Sequence, residues 1–375
     1  MTDTTRPSGY NYSQILLDHL GGNYDKVFNG ELIYPRQLEI HLPGDRRQAC
    51  NFHCYYCQGK LLEQPLAPFE YDALTLVREL NGRIPYMIYG GAYTEPLLNA
   101  FFLDFLKATK KSATNFGIHT NGSLLMKREG DEGFLSTLCD IATSPQDYLS
   151  ISLDAGTAES HAKIKNLKDN WFDTILGGIR LAVKLRGSSP SPAIRVCYLL
   201  SPVNSSEWEL NRIKDIMTDI GVDSLRFSIP YDLYGKEFSR VKRYKEEVEV
   251  KQHNELLSVV NSLVSMDPGD HPFVFYIAPD CQDVERMTFR QCIYGYYQIT
   301  IGADGYVYKC SSAASPTFKP CRLGKVPNSV RRLNEMILAN YDADFDASLC
   351  WGMGARCNRM ALEINTDWAV LNEKR

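Results

Sequence analysis

Between residues 36 and 229 the sequence alternates short apolar segments with longer segments of helical periodicity. The longer segments repeat apolar residues every three or four positions, as at Leu74, Val77 and Leu80. Strands that alternate with helices indicate a parallel sheet with right-handed crossovers. The sequence therefore predicts an α/β fold, a partial (β/α)6 barrel rather than a complete eight-stranded one. Its candidate strands are residues 38–42, 86–89, 115–118, 148–153, 194–200 and 224–229.

A different pattern follows the last of these strands. We predict a long helix over residues 245–264 and a strand over residues 273–277. Residues 297–301 and 306–308 flank a tight turn at Gly305, which predicts a β-hairpin. Four regions result: an N-terminal extension (1–35), the partial barrel (36–235), a connecting helix and strand (236–285) and a cysteine-rich C-terminal domain (286–375).

Charge and hydropathy exclude several classes of protein. The formal net charge is -4 in 375 residues and no block of like charge stands out. We therefore expect no binding to nucleic acid or to an anionic membrane surface. No apolar run approaches the ~20 residues that span a bilayer, and residues 1–10 lack the apolar core of a secretory signal. These features predict a cytoplasmic protein.

Eleven cysteines are many for a cytoplasmic protein, and metal ligation or catalysis accounts for them better than disulfides do. Cys50, Cys54 and Cys57 follow the first candidate strand with the spacing C-x3-C-x2-C. Active sites of parallel α/β folds gather on such loops. Three thiolates can hold three corners of a 4Fe–4S cluster and leave the fourth iron open to a ligand. The alternative is a zinc site that adds His53, which adjoins Cys54 and cannot easily reach the same ion.

This spacing on this loop resembles the signature of the radical S-adenosylmethionine (radical SAM) superfamily, and the resemblance extends over residues 38–229. It implies that a 4Fe–4S cluster binds S-adenosylmethionine through its open iron. An electron from an external donor of the flavodoxin or ferredoxin type then cleaves the sulfonium. The resulting 5′-deoxyadenosyl radical takes a hydrogen atom from the substrate. Tyr56 matches an aromatic position that packs near the adenine in that family.

Weaker motifs of the same superfamily follow in order. Residues 90–96 resemble its Gly-Gly-Glu-Pro element with extra residues before the glutamate, and residues 152–156 resemble its Ser-Leu-Asp-Gly segment. Lys165 stands where many members have an arginine that pairs with the carboxylate of the cofactor. A lysine ammonium is a point charge and lacks the paired N–H donors of a guanidinium. The cofactor-binding residues that the resemblance implies are Tyr56, Gly90, Gly91, Glu95, Asn121, Ser152, Asp154, Lys165 and Asn204.

A second group of cysteines lies in the C-terminal domain. Cys292 and Cys310 bracket the predicted hairpin with the spacing C-x12-G-x4-C, which resembles the opening of the auxiliary-cluster domains called SPASM and twitch. With Cys350 and Cys357 the resemblance implies an auxiliary 4Fe–4S cluster with four thiolate ligands. Five cysteines from Cys292 onward favour the twitch arrangement, which has one such cluster. Cys321 can replace one ligand, and a structural zinc site is the alternative.

Other residues are candidates for the reaction itself. Cys281 and Cys321 lie in predicted loops beside the auxiliary cysteines, and either can return a hydrogen atom to a substrate radical. Arg226, Tyr231 and Asp232 lie at the end of the sixth strand, where a substrate is expected. A surface salt bridge accounts equally well for Arg226.

Two substrate classes fit these motifs. Twitch-type relatives include dehydrogenases and epimerases of aminoglycoside-like compounds. The favoured function is therefore an oxidoreductase or epimerase that abstracts hydrogen from a carbinol carbon of a sugar, aminocyclitol or nucleoside. The alternative is a maturase of a ribosomally synthesised peptide. Such maturases often begin with a leader-binding domain, and residues 1–35 are too few for one, although a separate chain can supply it.

Overall fold

The computed structural model describes the barrel region almost continuously and the C-terminal region in part. The described residues are 18–20, 26, 29, 31–44, 50–57, 68–91, 94–112, 114–126, 128–129, 132–201, 203–228, 258, 262, 273–277, 294–311, 314 and 322–342. The helix predicted over residues 245–264 lies almost entirely outside them.

The predicted strands are present, and one further strand follows the hairpin. The strands are β1 (Gln37–Ile40), β2 (Tyr86–Tyr89), β3 (Asn115–Thr120), β4 (Tyr148–Ser152), β5 (Ala193–Leu199), β6 (Ser224–Ser228), β7 (Val274–Ile277), β8 (Gln298–Ile301), β9 (Tyr306–Tyr308) and β10 (Arg322–Lys325). The helices are α1 (Glu70–Leu80), α2 (Phe102–Lys111), α3 (Phe134–Ile141), α4 (Ala158–Lys165), α5 (Phe172–Arg186), α6 (Glu207–Ile220), α7 (Tyr294–Tyr297) and α8 (Val330–Asp342). A 3-10 turn (Pro96–Leu98) follows β2, and a small ribbon (Arg128–Glu129 with Glu132–Gly133) follows β3. None of the described helices is both long and apolar enough to cross a membrane.

The strands of the main sheet have the order β10-β9-β8-β1-β2-β3-β4-β5-β6-β7. Strands β1 to β6 are parallel neighbours in chain order, which confirms the six strands of the predicted barrel. Beyond the prediction, β7 adds parallel to β6 and β8 adds parallel to β1. These additions pair backbone groups that the two edges of a six-stranded sheet would leave open. The hairpin of β8 and β9 is confirmed, with Gly305 at a φ of 76° in its turn.

The two faces of the sheet differ in polarity. Completely buried apolar side chains pack the face under the helices, among them Leu38, Ile118, Ile151, Val196 and Phe227. Side chains alternate along a strand, so their neighbours occupy the opposite, inner face. Many of those neighbours are polar, including Glu39, His119, Ser150, Arg195 and Arg226. Because a filled barrel interior consists of bulky apolar residues, the inner face is suited to polar contacts and not to a packed core.

Candidate functional site

The cysteine loop, residues 50–57, follows β1 at the carboxyl end of the parallel strands, where such folds place their active sites. Of its three cysteines, Cys54 is buried and the other two are half-buried, whereas His53 is exposed. The Tyr55 amide donates a hydrogen bond to the Ile164 carbonyl oxygen at 3.1 Å. This bond fixes the loop against the last turn of α4.

The placement of His53 argues against the zinc alternative. Within the described ranges, no three Cys, His, Asp or Glu side chains are placed to share one metal ion. A zinc site in this loop would add His53 to the cysteines, and His53 is exposed whereas Cys54 is buried.

The surroundings of the sulfur atoms fit an iron–sulfur cluster. The Cys50 sulfur accepts hydrogen bonds from the Phe52 amide and the Asn121 side-chain amide, both at 3.4 Å. Burial, with a smaller contribution from the nearby Glu95, raises the pKa of the Cys50 thiol to about 12. Burial also raises the pKa of the Cys54 thiol. Thiolates at these positions therefore require the positive charge of a metal, which a cluster supplies.

Five of the predicted cofactor-binding residues form one buried network, which we call the Asp154 network: Tyr56, Ser152, Asp154, Lys165 and Asn204. The Asp154 carboxylate accepts hydrogen bonds from the Tyr56 hydroxyl at 2.5 Å and the Ser152 hydroxyl at 2.8 Å. The same oxygen forms an ion pair with the Lys165 ammonium. The Asn204 amide donates to the Asp154 carbonyl oxygen at 2.7 Å. The structure thus brings the other four residues together around Asp154, three at its carboxylate and Asn204 at its backbone carbonyl oxygen.

Lys165 is fully engaged within this network. Besides Asp154, its ammonium donates to the Tyr56 hydroxyl at 3.0 Å and the Ser152 hydroxyl at 3.4 Å, so each of its three N–H groups has an acceptor. Burial alone would raise the pKa of Asp154 and lower the pKa of Lys165. The charge of the partner outweighs burial only together with the hydrogen bonds and the other nearby charges, and so the pKa of Asp154 is lowered and that of Lys165 is raised. Lys165 therefore holds Tyr56 in place, while its contact with the cofactor carboxylate stays a prediction.

Glu209, which the sequence analysis did not select, anchors the start of α4. Its buried carboxylate accepts hydrogen bonds from the Gly156 amide at 2.8 Å and from the Ser160 hydroxyl. A Cβ atom on Gly156 would lie 2.6 Å from the Glu209 side chain, so only glycine permits this approach. A glutamate in an amphipathic helix is normally read as a solvent-facing residue, and no sequence signal marks this one as buried.

A second network, the Glu95 network, links three loops. The buried Glu95 carboxylate accepts hydrogen bonds from the Leu97 amide at 3.2 Å, the Thr120 hydroxyl at 2.7 Å and the Asn121 amide at 2.6 Å. The Asn121 side chain in turn donates to the Asn51 side-chain oxygen at 2.9 Å. Glu95 thus ties the loops after β2 and β3 to the cysteine loop. In this arrangement its carboxylate positions protein groups.

The glycines after β2 are required by packing against two histidines. A Cβ atom on Gly90 would lie 2.6 Å from the His119 Cβ atom, and one on Gly91 would lie 2.3 Å from the His41 ring. In the same loop the Thr94 hydroxyl is buried and makes no hydrogen bond to any described residue. A buried hydroxyl of this kind suits a polar group of a ligand. The contacts of Gly90 and Gly91 with the cofactor stay predictions.

The C-terminal candidates are placed only in part. Cys310 is buried directly after β9, and Arg226 is half-buried on the inner face of β6. The other candidates lie outside the described residues: Tyr231, Asp232, Cys281, Cys292, Cys321, Cys350 and Cys357. The auxiliary cluster and the hydrogen donors therefore stay predictions.

Glu95 should impose a pH dependence on the stability of the apoprotein. Burial raises the pKa of its carboxyl from 4.5 to about 7, against the hydrogen bonds from Asn121, Thr120 and Leu97 that lower it. Between those values the folded protein holds a proton that the unfolded chain has lost. Its free energy of unfolding should therefore fall as pH rises from about 4.5 to about 7, by about 3 kcal/mol in total.

Urea unfolding of the wild type and of Glu95→Gln across this range measures that contribution. In the variant the free energy of unfolding should not fall in this way between pH 4.5 and 7. The difference in the free energy of unfolding between the two proteins should become constant above pH 8. Parallel curves for the two proteins would show that Glu95 ionises normally and would contradict its buried environment.

The chain resembles solved structures over most of its length. The structure of anSMEcpe with bound AdoMet and Cp18Cys peptide matches with a TM-score of 0.56 at 16% sequence identity, covering 87% of this chain and 90% of that chain. SuiB of Streptococcus suis bound to the precursor peptide SuiA matches with a TM-score of 0.54 at 13% identity, covering 82% of this chain and 67% of SuiB. In its structure without a named ligand, 64% of SuiB is covered. At these identities the likeness establishes the fold.

Two sequence comparisons add to the structural likeness. The tungsten-containing aldehyde ferredoxin oxidoreductase cofactor-modifying protein of Pyrococcus furiosus is 32% identical over 78 residues. That match covers 20% of this chain and 22% of the relative, so it spans about a fifth of the relative's length. The family model of the Radical SAM superfamily matches residues 47–210, a segment that contains the cysteine loop and both networks. Residues 47–210 therefore form a domain of the Radical SAM superfamily, whose cofactors are a 4Fe–4S cluster and S-adenosylmethionine.

Proposed function

We propose that the chain is a radical SAM enzyme whose substrate is a peptide. The observation that supports this most is the match to peptide-bound anSMEcpe, which covers 87% of this chain and 90% of that chain and so extends well beyond the barrel segment. SuiB, another solved neighbour, was crystallised with its precursor peptide. These neighbours favour the peptide alternative over the sugar, aminocyclitol or nucleoside that the sequence analysis preferred.

The inner face of the sheet suits a peptide. Each residue of a peptide backbone carries a donor and an acceptor, and both need partners when they are buried. Along the inner face Gln298 and Glu39 occupy adjacent strands, His119 and Tyr148 lie in the middle, and Ser228 ends β6. Gln298 already donates to Glu39, and His119 pairs with the Tyr148 hydroxyl. A peptide would bind to the donors and acceptors that these side chains have left.

We assign different roles in the site to different groups of residues. When bound, the cluster and S-adenosylmethionine would supply the radical chemistry that removes a hydrogen atom from the substrate. The Asp154 network orients Tyr56 beside the cysteine loop, and the Glu95 network holds Asn121 against the Cys50 sulfur. Cys281, Cys321, Tyr231 and Asp232 are proposed to act on the substrate radical, and an auxiliary cluster on Cys292, Cys310, Cys350 and Cys357 is proposed to take part in electron transfer.

Fractionated extract tests the substrate class. Extract of the source cells is dialysed so that peptides are retained and metabolites pass, and each fraction is incubated anaerobically with reduced enzyme and S-adenosylmethionine. The retained fraction should stimulate 5′-deoxyadenosine formation and should contain a peptide whose mass changes. Digestion of that fraction with a nonspecific protease should remove the stimulation, and the Cys54→Ala variant serves as the inactive control. Stimulation by the metabolite fraction alone, resistant to protease, would contradict the proposal.

A further inference from the structure

A completely buried histidine, His161 on α4, stands out among the polar side chains that the structure describes. Neither its Nδ1 nor its Nε2 atom makes a hydrogen bond to any described residue. Buried polar side chains in native proteins are nearly always hydrogen-bonded, and the exceptions include groups with a ligand or a redox role. The two ring nitrogens therefore point to a polar partner other than the described side chains and backbone.

His161 faces the cysteine loop together with Lys165. The two residues lie four positions apart on the buried side of α4, so their side chains share one face of the helix. Burial acts to lower the pKa of Lys165, whereas the nearby charges of Asp154 and Cys54 act to raise it. Cys54 therefore lies close to this face. The His161 ring packs edge-on against the ring of Phe52, which belongs to the cysteine loop, with the two centroids 6.2 Å apart.

The neighbouring side chains on the helices leave the His161 nitrogens unpaired. The ring lies 6.0 Å from the apolar ring of Phe172 on α5. The hydroxyl of the preceding residue, Ser160, is turned to the Glu209 carboxylate on α6. Burial first, and then the charge of Lys165, lower the pKa of His161 to about 4, so its ring is neutral at pH 7. A neutral imidazole carries one N–H donor, and no described residue accepts it.

We propose that the His161 N–H donates a hydrogen bond to a sulfur atom of the 4Fe–4S cluster on the cysteine loop, a thiolate or an inorganic sulfide. The inference goes beyond the proposed function because it holds for any class of substrate. Hydrogen bonds to the sulfurs of a cluster are among the factors that set its reduction potential. Reduction adds negative charge, so a donor stabilises the reduced cluster more than the oxidised one. His161 should therefore raise the potential and favour electron transfer from the external donor.

The midpoint potential of this cluster tests the inference. Reconstituted protein without S-adenosylmethionine is titrated with dithionite and mediator dyes, and the reduced cluster is followed by electron paramagnetic resonance. The signal of interest is the one that is lost when Cys50, Cys54 and Cys57 are replaced together. His161→Phe keeps a ring against Phe52 and removes the N–H. This variant should be at least about threefold harder to reduce, a midpoint about 30 mV more negative for a one-electron couple.

Two further variants connect the shift to the N–H group. His161→Gln retains an N–H donor and should recover part of the potential. The matched control is His19→Phe, because His19 is a half-buried histidine whose ring pairs with the Tyr34 carbonyl oxygen at 2.9 Å. This control should leave the midpoint potential unchanged.

Urea unfolding of the apoprotein separates the hydrogen bond from a packing role. Phenylalanine keeps the apolar contacts of the ring and removes a buried N–H that no described residue accepts. Because an unpaired buried donor is unfavourable, the His161→Phe apoprotein should be at least as stable as the wild type.

A measurement on the wild type does not depend on the folding of any variant. Protein labelled with ¹⁵N in histidine only is reduced and studied by pulsed electron paramagnetic resonance. The signal of the cysteine-loop cluster should show a hyperfine coupling to a labelled nitrogen. The coupling should persist in His19→Phe and disappear in His161→Phe.

The failure of this inference differs from the failure of the proposed function. An unchanged midpoint potential in His161→Phe, or no coupling to a labelled nitrogen in the wild type, would overturn the inference alone. A less stable His161→Phe apoprotein with an unchanged potential would assign His161 a packing role. A wild type that assembles no cluster on the loop would contradict the cluster and this inference together. None of these outcomes depends on whether the substrate is a peptide.

Discussion

Replacing Cys54 by alanine is expected to abolish the cleavage of S-adenosylmethionine by the reduced protein. Three thiolates on the cysteine loop are proposed to hold three irons, and the loss of one leaves a second iron without a protein ligand. Cys54 is the most buried of the three. Anaerobic incubation with dithionite and S-adenosylmethionine, followed by chromatography of 5′-deoxyadenosine, measures the effect.

A matched cysteine change controls for the loss of a thiol as such. Cys139 is half-buried on α3, remote in sequence from the cysteine loop, and Cys139→Ala should form 5′-deoxyadenosine at the wild-type rate. If Cys54→Ala keeps that rate as well, the assignment of the cluster to residues 50–57 is wrong.

The second large effect is expected on stability, from Lys165→Met. The change leaves the Asp154 carboxylate in a fully buried position without its counter-charge. Removing one partner of a buried ion pair costs about 3–5 kcal/mol because the other charge stays desolvated. Urea unfolding of the apoprotein should show that the free energy of unfolding is lower by this amount. The cysteine loop, which contains Tyr56, should also bind the cluster less tightly.

Two comparisons separate the charge from the packing. Lys163→Met alters an exposed pair with Glu159 one turn away on the same helix, and no measurable change is expected. The double variant Asp154→Asn with Lys165→Met contains no unpaired charge and should recover part of the lost stability. A loss in Lys165→Met no larger than in Lys163→Met would show that the ion pair contributes nothing.

The barrel strands and the cysteine loop could be predicted from the sequence because their signals are local. Short apolar segments and a three-cysteine spacing are visible within a few residues. The pairing of β8 with β1 was not predictable in this way, since Gln37 and Gln298 are brought together only by the folded chain. A strand edge shows that a partner is needed, but it does not identify which distant segment supplies it.

The polar residues of the site were predicted by type, whereas their partners were not. Asp154 and Lys165 were both expected to contact the cofactor, and the structure pairs them with each other. The number of residues between Asp154 and Lys165 is compatible with many relative positions of the two side chains. They form a pair because α4 turns back toward β4. Glu209 was missed for a related reason, because burial of a helical carboxylate depends on Gly156 and Ser160 from another segment.

The metal content of the anaerobically purified protein tests the central claim most directly. The account predicts iron and sulfide in equal amounts, roughly eight of each per chain if the auxiliary cluster is present. It also predicts about four fewer irons and four fewer sulfides when Cys50, Cys54 and Cys57 are replaced together. Stoichiometric zinc without iron in the wild type, or an iron content that the triple replacement leaves unchanged, would contradict it.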